Sequence, residues 1–287
     1  MTVARARGAG VAFGKAVLGS YSQVILASNA YAGALLLLGS LYDPVVGMAG
    51  LAAVLLSLAT VHLAGFHWEY ALAGGYGYNP LLLGLALGAW LKPGPLAGAV
   101  LVGSVVACVH IQVALEAALG SQLRLPALSL PFVATAYLAL MVSSAFGLLH
   151  GVPSAGTAPG WLHGKMGEFL SALGGLFFQP VPLVGIAILV AIAAYSRIAA
   201  ILSLLGFVVA AAVASLLPGR MPAETSLNAA LTAMALGGIW FIPDRRSFMV
   251  AAAAALMTVM VGVALARLLA LAYFPSLVLP FNLTALT

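Results

Sequence analysis

The segment Leu125-Pro126-Ala127-Leu128-Ser129-Leu130-Pro131-Phe132 returns as Phe274-Pro275-Ser276-Leu277-Val278-Leu279-Pro280-Phe281, 149 positions later in a chain of 287 residues. Each copy follows a long apolar stretch. Proline at the head of a helix gives up no intrahelical bond, but inside a spanning helix it interrupts the ladder and frees carbonyl oxygens. Within a bilayer those oxygens must meet protein, water or a solute. Two such phrases in matched places predict a membrane protein of two related halves with broken or re-entrant helices. Simple kinks in packed helices are the plain alternative, and the matched second pair weighs against them.

Composition points to the same class. Hydrophobic residues make up 64% of the chain and charged residues 6%, and the mean hydropathy is +1.16. A water-soluble domain of this length would carry far more surface charge. At roughly 20 apolar residues per span, the chain supports about ten spans and little extramembrane mass. Its 32 glycines suit close packing of transmembrane helices. The net charge of +5 comes from residues at ends and short loops, with no basic patch interleaved with aromatics, so nucleic acid is not an expected partner. A single cysteine, Cys108, excludes a disulfide framework or zinc cluster within one chain.

Apolar segments run near 20–41, 45–65, 76–91, 96–119 and 126–149, then 169–190, 198–217, 225–242, 248–271 and from 275 onward. The expected division is 1–150 for the first membrane repeat and 151–287 for the second, joined by a polar Gly/Pro-containing link at 150–165. An odd number of spans reverses the second copy, so the expected fold is an all-α polytopic protein of two inverted five-helix repeats. With the N-terminus inside, Arg5, Arg7, Lys15, Arg124, Arg197, Arg245 and Arg246 fall on one side, and Lys92, Lys165 and Arg220 on the other. That bias fits the positive-inside rule. The first residues lack a small-residue cleavage site and read as a retained cytoplasmic tail. Six residues follow Phe281, whereas apolar sequence continues 17 positions beyond Phe132, so either the last helix is shortened or the natural chain carries a further tail.

Working outward, Gly77-Tyr78-Asn79-Pro80 matches Ser226-Leu227-Asn228-Ala229 at the same spacing. A looser match sets Tyr21–Gly33 against Leu173–Gly185, 152 apart, and pairs Gln23 with Gly175, Leu26 with Phe178 and Asn29 with Val181. Asn79 and Asn228 both donate and accept, which suits holding re-entrant turns together or facing a conduit. The Gln23 amide places an acceptor opposite a solute N–H, or joins two helices. The Ser129 hydroxyl extends a line of backbone acceptors, or caps the helix that follows. Phe132, Phe178 and Phe281 offer flat walls to a narrow slot, or ordinary packing. His110, Gln112 and Glu116 recur at near-helical spacing, as a proton path or as pairing groups for other helices or subunits. His62, His67, His110, His150 and His163 show no metal-ligand spacing. No metal or cofactor is expected, and no phosphate-binding glycine motif or catalytic constellation is present.

These residues resemble the urea transporter family over nearly the whole chain from Tyr21. The resemblance rests on Gln23 with Asn29 and Gly33, on Gly77–Pro80, on Leu125–Phe132 and on their second-half partners. It implies about ten main membrane helices with short tilted ones, a pore in each protomer, and a homotrimer. It also implies passive movement of urea between apolar walls along ladders of oxygens. Residue by residue it selects Gln23 and Ser129 as polar lining, with Phe132, Phe178 and Phe281 as walls. The chain departs from the family pattern at Leu26, often Phe, at Gly175, usually Gln or Glu, and at Val278, usually Thr. Ala30 stands where a proline is usual, and Val181 where a second Asn is usual.

The expected function is passive, channel-like transport of urea or a close small neutral amide, not catalysis. Ammonia or other small-solute conduction and ion-coupled transport are the alternatives. The expected setting is a cell membrane, taken as a bacterial inner membrane, with lipid and the solute as partners. Urea carries four donor hydrogens and one carbonyl acceptor, so a drier, wider second half would favour a different solute size or water content.

Overall fold

The computed structural model describes residues 3–150, 164–216 and 221–287. The link between the halves, with His163, and Arg220 lie outside the described residues. The described chain is helical: α1 Val3–Gln23, α2 Ala30–Ser40, α3 Pro44–Ala64, α4 Trp68–Leu72, α5 Tyr78–Trp90, α6 Pro95–Gln122 and α7 Leu130–Ala145. The second half of the sequence adds α8 Lys165–Gly174, α9 Pro182–Tyr195, α10 Arg197–Leu216, α11 Ala223–Met234, α12 Arg245–Ala270 and α13 Leu279–Ala285.

This is an all-α, multi-spanning membrane fold with broken helices. Among the described residues four helices are long and apolar enough to cross a bilayer: α3, α6 (through Ser121), α10 and α12. The segment Lys165–Phe177 and α9 are together apolar enough for a broken span or a re-entrant loop, with an 82° bend between them. Helix α5 has 13 residues, so it reaches about 20 Å at 1.5 Å per residue, short of a ~30 Å hydrocarbon core.

Caps set several ends of the long helices. Asp43 Oδ1 accepts from the N–H groups of Val45 at 2.9 Å and Val46 at 3.3 Å, with Pro44 in the first turn of α3. Asp244 and Ser247 form a reciprocal capping box at the head of α12, at 2.6 and 2.9 Å. Each cap satisfies donors that a helix start leaves without partners. Helix α3 stops at Gly65, whose φ of 71° is a left-handed conformation that glycine adopts without steric cost.

The chain forms two compact units. The first comprises Met1–Ala127, Ala134–Ser154 and Phe177–Gln179; the second comprises Leu128–Val133, Ala155–Leu176 and Pro180–Thr287. Two short pieces thus belong to the unit built mainly from the other half of the sequence. In the first unit α2 crosses α1 so closely that a Cβ on Gly33 would collide with the Leu18 carbonyl oxygen. In the second unit α9 crosses α8 so closely that a Cβ on Gly185 would collide with the Leu170 carbonyl oxygen. Both pairs are 152 apart, the spacing of the loose sequence match. The second unit's core gathers Leu202, Ala210, Ala229, Ala233, Ala251, Ala255 and Val259.

Two stretches that read as continuous apolar segments are broken. Within 20–41 the helix stops after Gln23 and resumes at Ala30. Within 169–190 it stops at Phe177 and resumes at Pro182. The expected segment from Pro126 to Leu149 becomes helical only at Leu130.

Candidate functional site

The end of α1 makes the first element of the site. Leu26 N–H donates to Gln23 O at 2.9 Å, and Ala27 N–H reaches back to Ser22 O at 3.0 Å. That paired pattern is the Schellman stop, which normally places glycine at the left-handed position. Gly65, Gly74 and Gly147 fill it in other turns of the first unit, whereas here Leu26 holds φ 57°. A non-glycine residue pays roughly 1–2 kcal/mol for this conformation. The chain then runs extended to Asn29, whose Oδ1 caps α2 by accepting from Tyr31 N–H at 2.8 Å and Ala32 N–H at 3.4 Å. Among the described residues no hydrogen bond reaches the carbonyls of Val24, Ile25, Leu26, Ala27 or Ser28. Gln23, half-buried, donates its Nε2–H to Ala73 O at 3.2 Å. A carbonyl must face the amide nitrogen and not its oxygen, so Oε1 is left as an acceptor.

The matched turn of the second half has the same left-handed corner and different chemistry. Phe178 holds φ 58°. Val181 gives α9 no side-chain cap, and Pro182 occupies its first turn. A Cβ added to Gly175 would meet only Leu227 Cδ2, at 4.0 Å, so the space beside Gly175 is open. The half-buried ring of Phe178 meets Trp90 edge to face, with centroids 5.2 Å apart at 82°. The neighbouring Gln179 is buried and pins the corner between α2 and α3. Its Nε2–H donates to Ser40 O at 2.7 Å, and its Oε1 accepts from Asp43 N–H at 3.0 Å.

The proline-bracketed turns form the other elements. Arg124 and Tyr273, and then Leu128 and Leu277, all have positive φ: 55° and 59°, then 46° and 51°. Each pair is 149 apart, so the duplicated phrase is also duplicated in backbone conformation. Pro131 lies in the first turn of α7 and Pro280 in that of α13, while Pro126 and Pro275 lie in the non-helical breaks ahead of them.

In the second unit, Asn228 on α11 holds the turn before α13. Its Nδ2 donates to Leu277 O at 2.7 Å and to Glu224 O at 2.8 Å, and its Oδ1 accepts from Phe281 N–H at 3.0 Å. The Glu224 carboxylate adds two bonds to the same turn, accepting from Ser276 Oγ–H at 2.6 Å and Leu277 N–H at 3.1 Å. Ser129 is buried against Asn282. Its N–H donates to Asn282 Oδ1 at 3.1 Å, and its hydroxyl lies 3.2 Å from that oxygen and 3.1 Å from Asn282 Nδ2. Asn282 also donates to Val278 O at 2.8 Å, which brings Ser129 and Val278 onto one amide. Phe132 and Phe281 are both buried.

Asn79, fully buried in the first unit, donates to Gln112 Oε1 at 3.2 Å. Gln112 donates to Gly75 O at 2.6 Å and Glu116 Oε1 at 2.8 Å, and Tyr70 Oη–H donates to the same carboxylate oxygen at 2.8 Å. Burial first, and the Glu116 charge next, push the Tyr70 phenol well above its usual range, which keeps it an O–H donor. His110 stands apart: its Nδ1 lies 2.8 Å from Val106 O and its ring meets Phe66 edge-on.

Sequence reasoning passed over Gln179, Glu224 and Asn282. Asn282 had no signal in the repeat, because Val133 occupies the matching position. Glu224, two residues before the matched phrase Ser226–Ala229, carried a usable one: an acidic side chain at a helix start beside an apolar span is expensive unless bonded.

The matched left-handed turns, the freed carbonyls and the paired proline phrases describe a membrane protein built around interrupted helices. A model of the urea transporter family matches residues 15–287. With almost its full length matched in that way, the chain belongs to the urea transporter family.

Proposed function

We propose that this protein is a passive, channel-like pathway for urea or a closely related small neutral amide. Family membership makes it a transporter and not an enzyme. The observation that carries the finer reading is the row of carbonyls at Val24 to Ser28, free of protein partners among the described residues. Unbonded backbone oxygens at membrane depth are tolerated where they face protein or a water-filled cavity. Arranged in series, they accept amide N–H groups in exchange for water. A hydrated ion gains too little there to offset its desolvation.

In this reading Gln23 supplies a side-chain acceptor beside that row, and Leu26 and Phe178 place apolar bulk at the left-handed corners. Phe132 and Phe281 pack as the inner walls. Ser129 and Val278 form the edge tied to Asn282, while Asn79 and Asn228 hold the turns. Gly175 leaves a gap where Gln23 has its counterpart, and the gap admits water or a wider solute. The two halves, 1–150 and 151–287, are read as inverted five-helix repeats, three protomers as the assembly, and a bacterial inner membrane as the setting.

The test is flux through purified protein in liposomes with urea, acetamide and ammonia in parallel, at fixed solute gradient, with and without a proton gradient. The reading expects urea flux that is indifferent to the proton gradient and falls about fivefold to tenfold in Gln23→Ala. Flux that tracks the proton gradient, or urea flux no faster than protein-free liposomes, sinks it.

A further inference from the structure

The first unit contains a polar cluster that a row of lining oxygens does not account for. Glu116 sits on α6, inside the span Pro95–Ser121. A carboxylate there is costly and needs donors, and both donors found on it serve another purpose. Gln112 spends one N–H on Glu116 and the other on Gly75 O, while its Oε1 accepts from Asn79. Tyr70 donates to Glu116 and lays its ring against Gly75 so tightly that a Cβ there would clash with three ring carbons. It also meets Tyr76 edge to face, with centroids 4.7 Å apart. Both routes from Glu116 thus end on the loop between α4 and α5.

That loop is pressed against the end of α1. Gly74, at φ 85°, has no room for a Cβ beside the Gly19 carbonyl, and Gly77 has none beside Ser20 Oγ. Its residue Ala73 supplies the carbonyl that orients Gln23. The bonded route from Glu116 therefore reaches Gln23 in a few rigid steps. The second half supplies a natural contrast. In the first half the turn after α6 holds one extra residue, since Leu125 N–H reaches six back to Leu119 O whereas Phe274 N–H reaches five back to Leu269 O. Along these helices the spacing is therefore 150, and the counterparts of Gln112 and Glu116 are Gly262 and Ala266. The half with Gly175 in place of Gln23 thus has neither an amide nor a carboxylate at these two positions of its long helix.

We infer that Glu116 is a positioning residue for solute selectivity: through Tyr70, Gln112 and the Ala73–Gly75 loop it holds the Gln23 amide with Oε1 free to accept. This rests on the reading of Gln23 as a lining residue.

The experiment is a double-mutant cycle in liposomes, with urea flux as the readout and osmotic water flux as a check on the rest of the pathway. Glu116→Ala alone lowers urea flux about threefold to tenfold, as expected for the loss of one well-placed acceptor. In the Gln23→Ala background it lowers it no further. Glu116→Gln keeps an oxygen for Tyr70 and Gln112 and retains most of the flux. If Glu116→Ala does not fold, Tyr70→Phe, which removes only a hydroxyl, takes its place in the cycle. A Gln23→Ala loss with an equal further loss on adding Glu116→Ala overturns this inference alone. So does a Glu116→Gln protein as impaired as Glu116→Ala. Undiminished flux in Gln23→Ala by itself overturns the lining reading and this inference together.

Discussion

The break after α1 and the break after α8 share a left-handed corner, a seated glycine and little else. Both turn on a left-handed non-glycine residue, Leu26 and Phe178. Both are followed by a helix that a glycine seats on a carbonyl of the helix before, Gly33 on Leu18 and Gly185 on Leu170. Around the first turn stand a side-chain amide at Gln23 and a side-chain cap at Asn29; the second has Gly175 and the non-capping Val181. The two matched segments therefore share the parts that set the path of the chain, while the side-chain amide and the side-chain cap are present in one of them. Scaffold and chemistry are separable here, and substitutions that strike one or the other sharpen the separation.

The largest effects fall on the scaffold. Gly33→Ala and Gly185→Ala each drive a methyl into backbone that has no alternative rotamer. Each is expected to cost at least about 1–3 kcal/mol, read as a lower unfolding midpoint in detergent and poor yield. Gly175→Ala, whose Cβ would meet nothing closer than 4.0 Å, leaves that midpoint unchanged. Equal losses at all three positions would erase the distinction between the seated glycines and the open one.

Asn228→Ala comes next. It strands the Leu277 carbonyl and the Phe281 N–H, both held by the Asn228 side chain. Leaving a buried group without its partner costs about 1–3 kcal/mol. The loss is expected near ~3 kcal/mol in an equilibrium unfolding measurement, with Asn228→Asp less harmful because it keeps an acceptor for Phe281. A neutral Asn228→Ala would move Asn228 from the turn's support to a replaceable surface.

These two predictions draw on features of unequal legibility. The proline phrases and the matched pair Asn79 and Asn228 were readable, because proline restricts the backbone and a buried amide needs partners, whereas Asn282 was not. Gln112 and Glu116 were readable too, because their spacing of four puts them on one helix face. Tyr70 was not, because its bond to Glu116 spans 46 residues and nothing local announces it. The break inside 20–41 was also invisible to hydropathy. Its left-handed residue is a leucine, and only Asn29, a good N-cap, marked the restart. Ser129 was read as a pore oxygen or a cap; its tie to Asn282 depends on two segments 153 residues apart.

Gly175→Gln tests chemistry alone. The first side-chain carbon meets nothing closer than 4.0 Å, so stability should hold within about 0.5 kcal/mol. An added acceptor should raise selectivity for urea over acetamide by about fivefold, the worth of roughly one hydrogen bond. Parallel flux assays on the same liposome preparation check it. Equal urea flux and selectivity before and after the substitution would remove Gly175 from any role in choosing the solute.

The smallest effect on stability belongs to Leu26→Gly. Glycine relieves left-handed strain of roughly 1–2 kcal/mol, while its extra freedom in the unfolded chain takes back about 0.5–1 kcal/mol. The half-buried leucine side chain is lost as well, so the net change in unfolding stability should lie within about 1 kcal/mol. Flux is then the sensitive measurement. A leucine kept in a position that glycine fills more easily is there for its side chain. If that side chain narrows the passage, its removal speeds dimethylurea more than urea. Phe178→Gly should do so more strongly, because it removes a larger ring and its contact with Trp90. A uniform change across all solutes would reduce both residues to turn-formers, and the two breaks would then differ only in their polar groups.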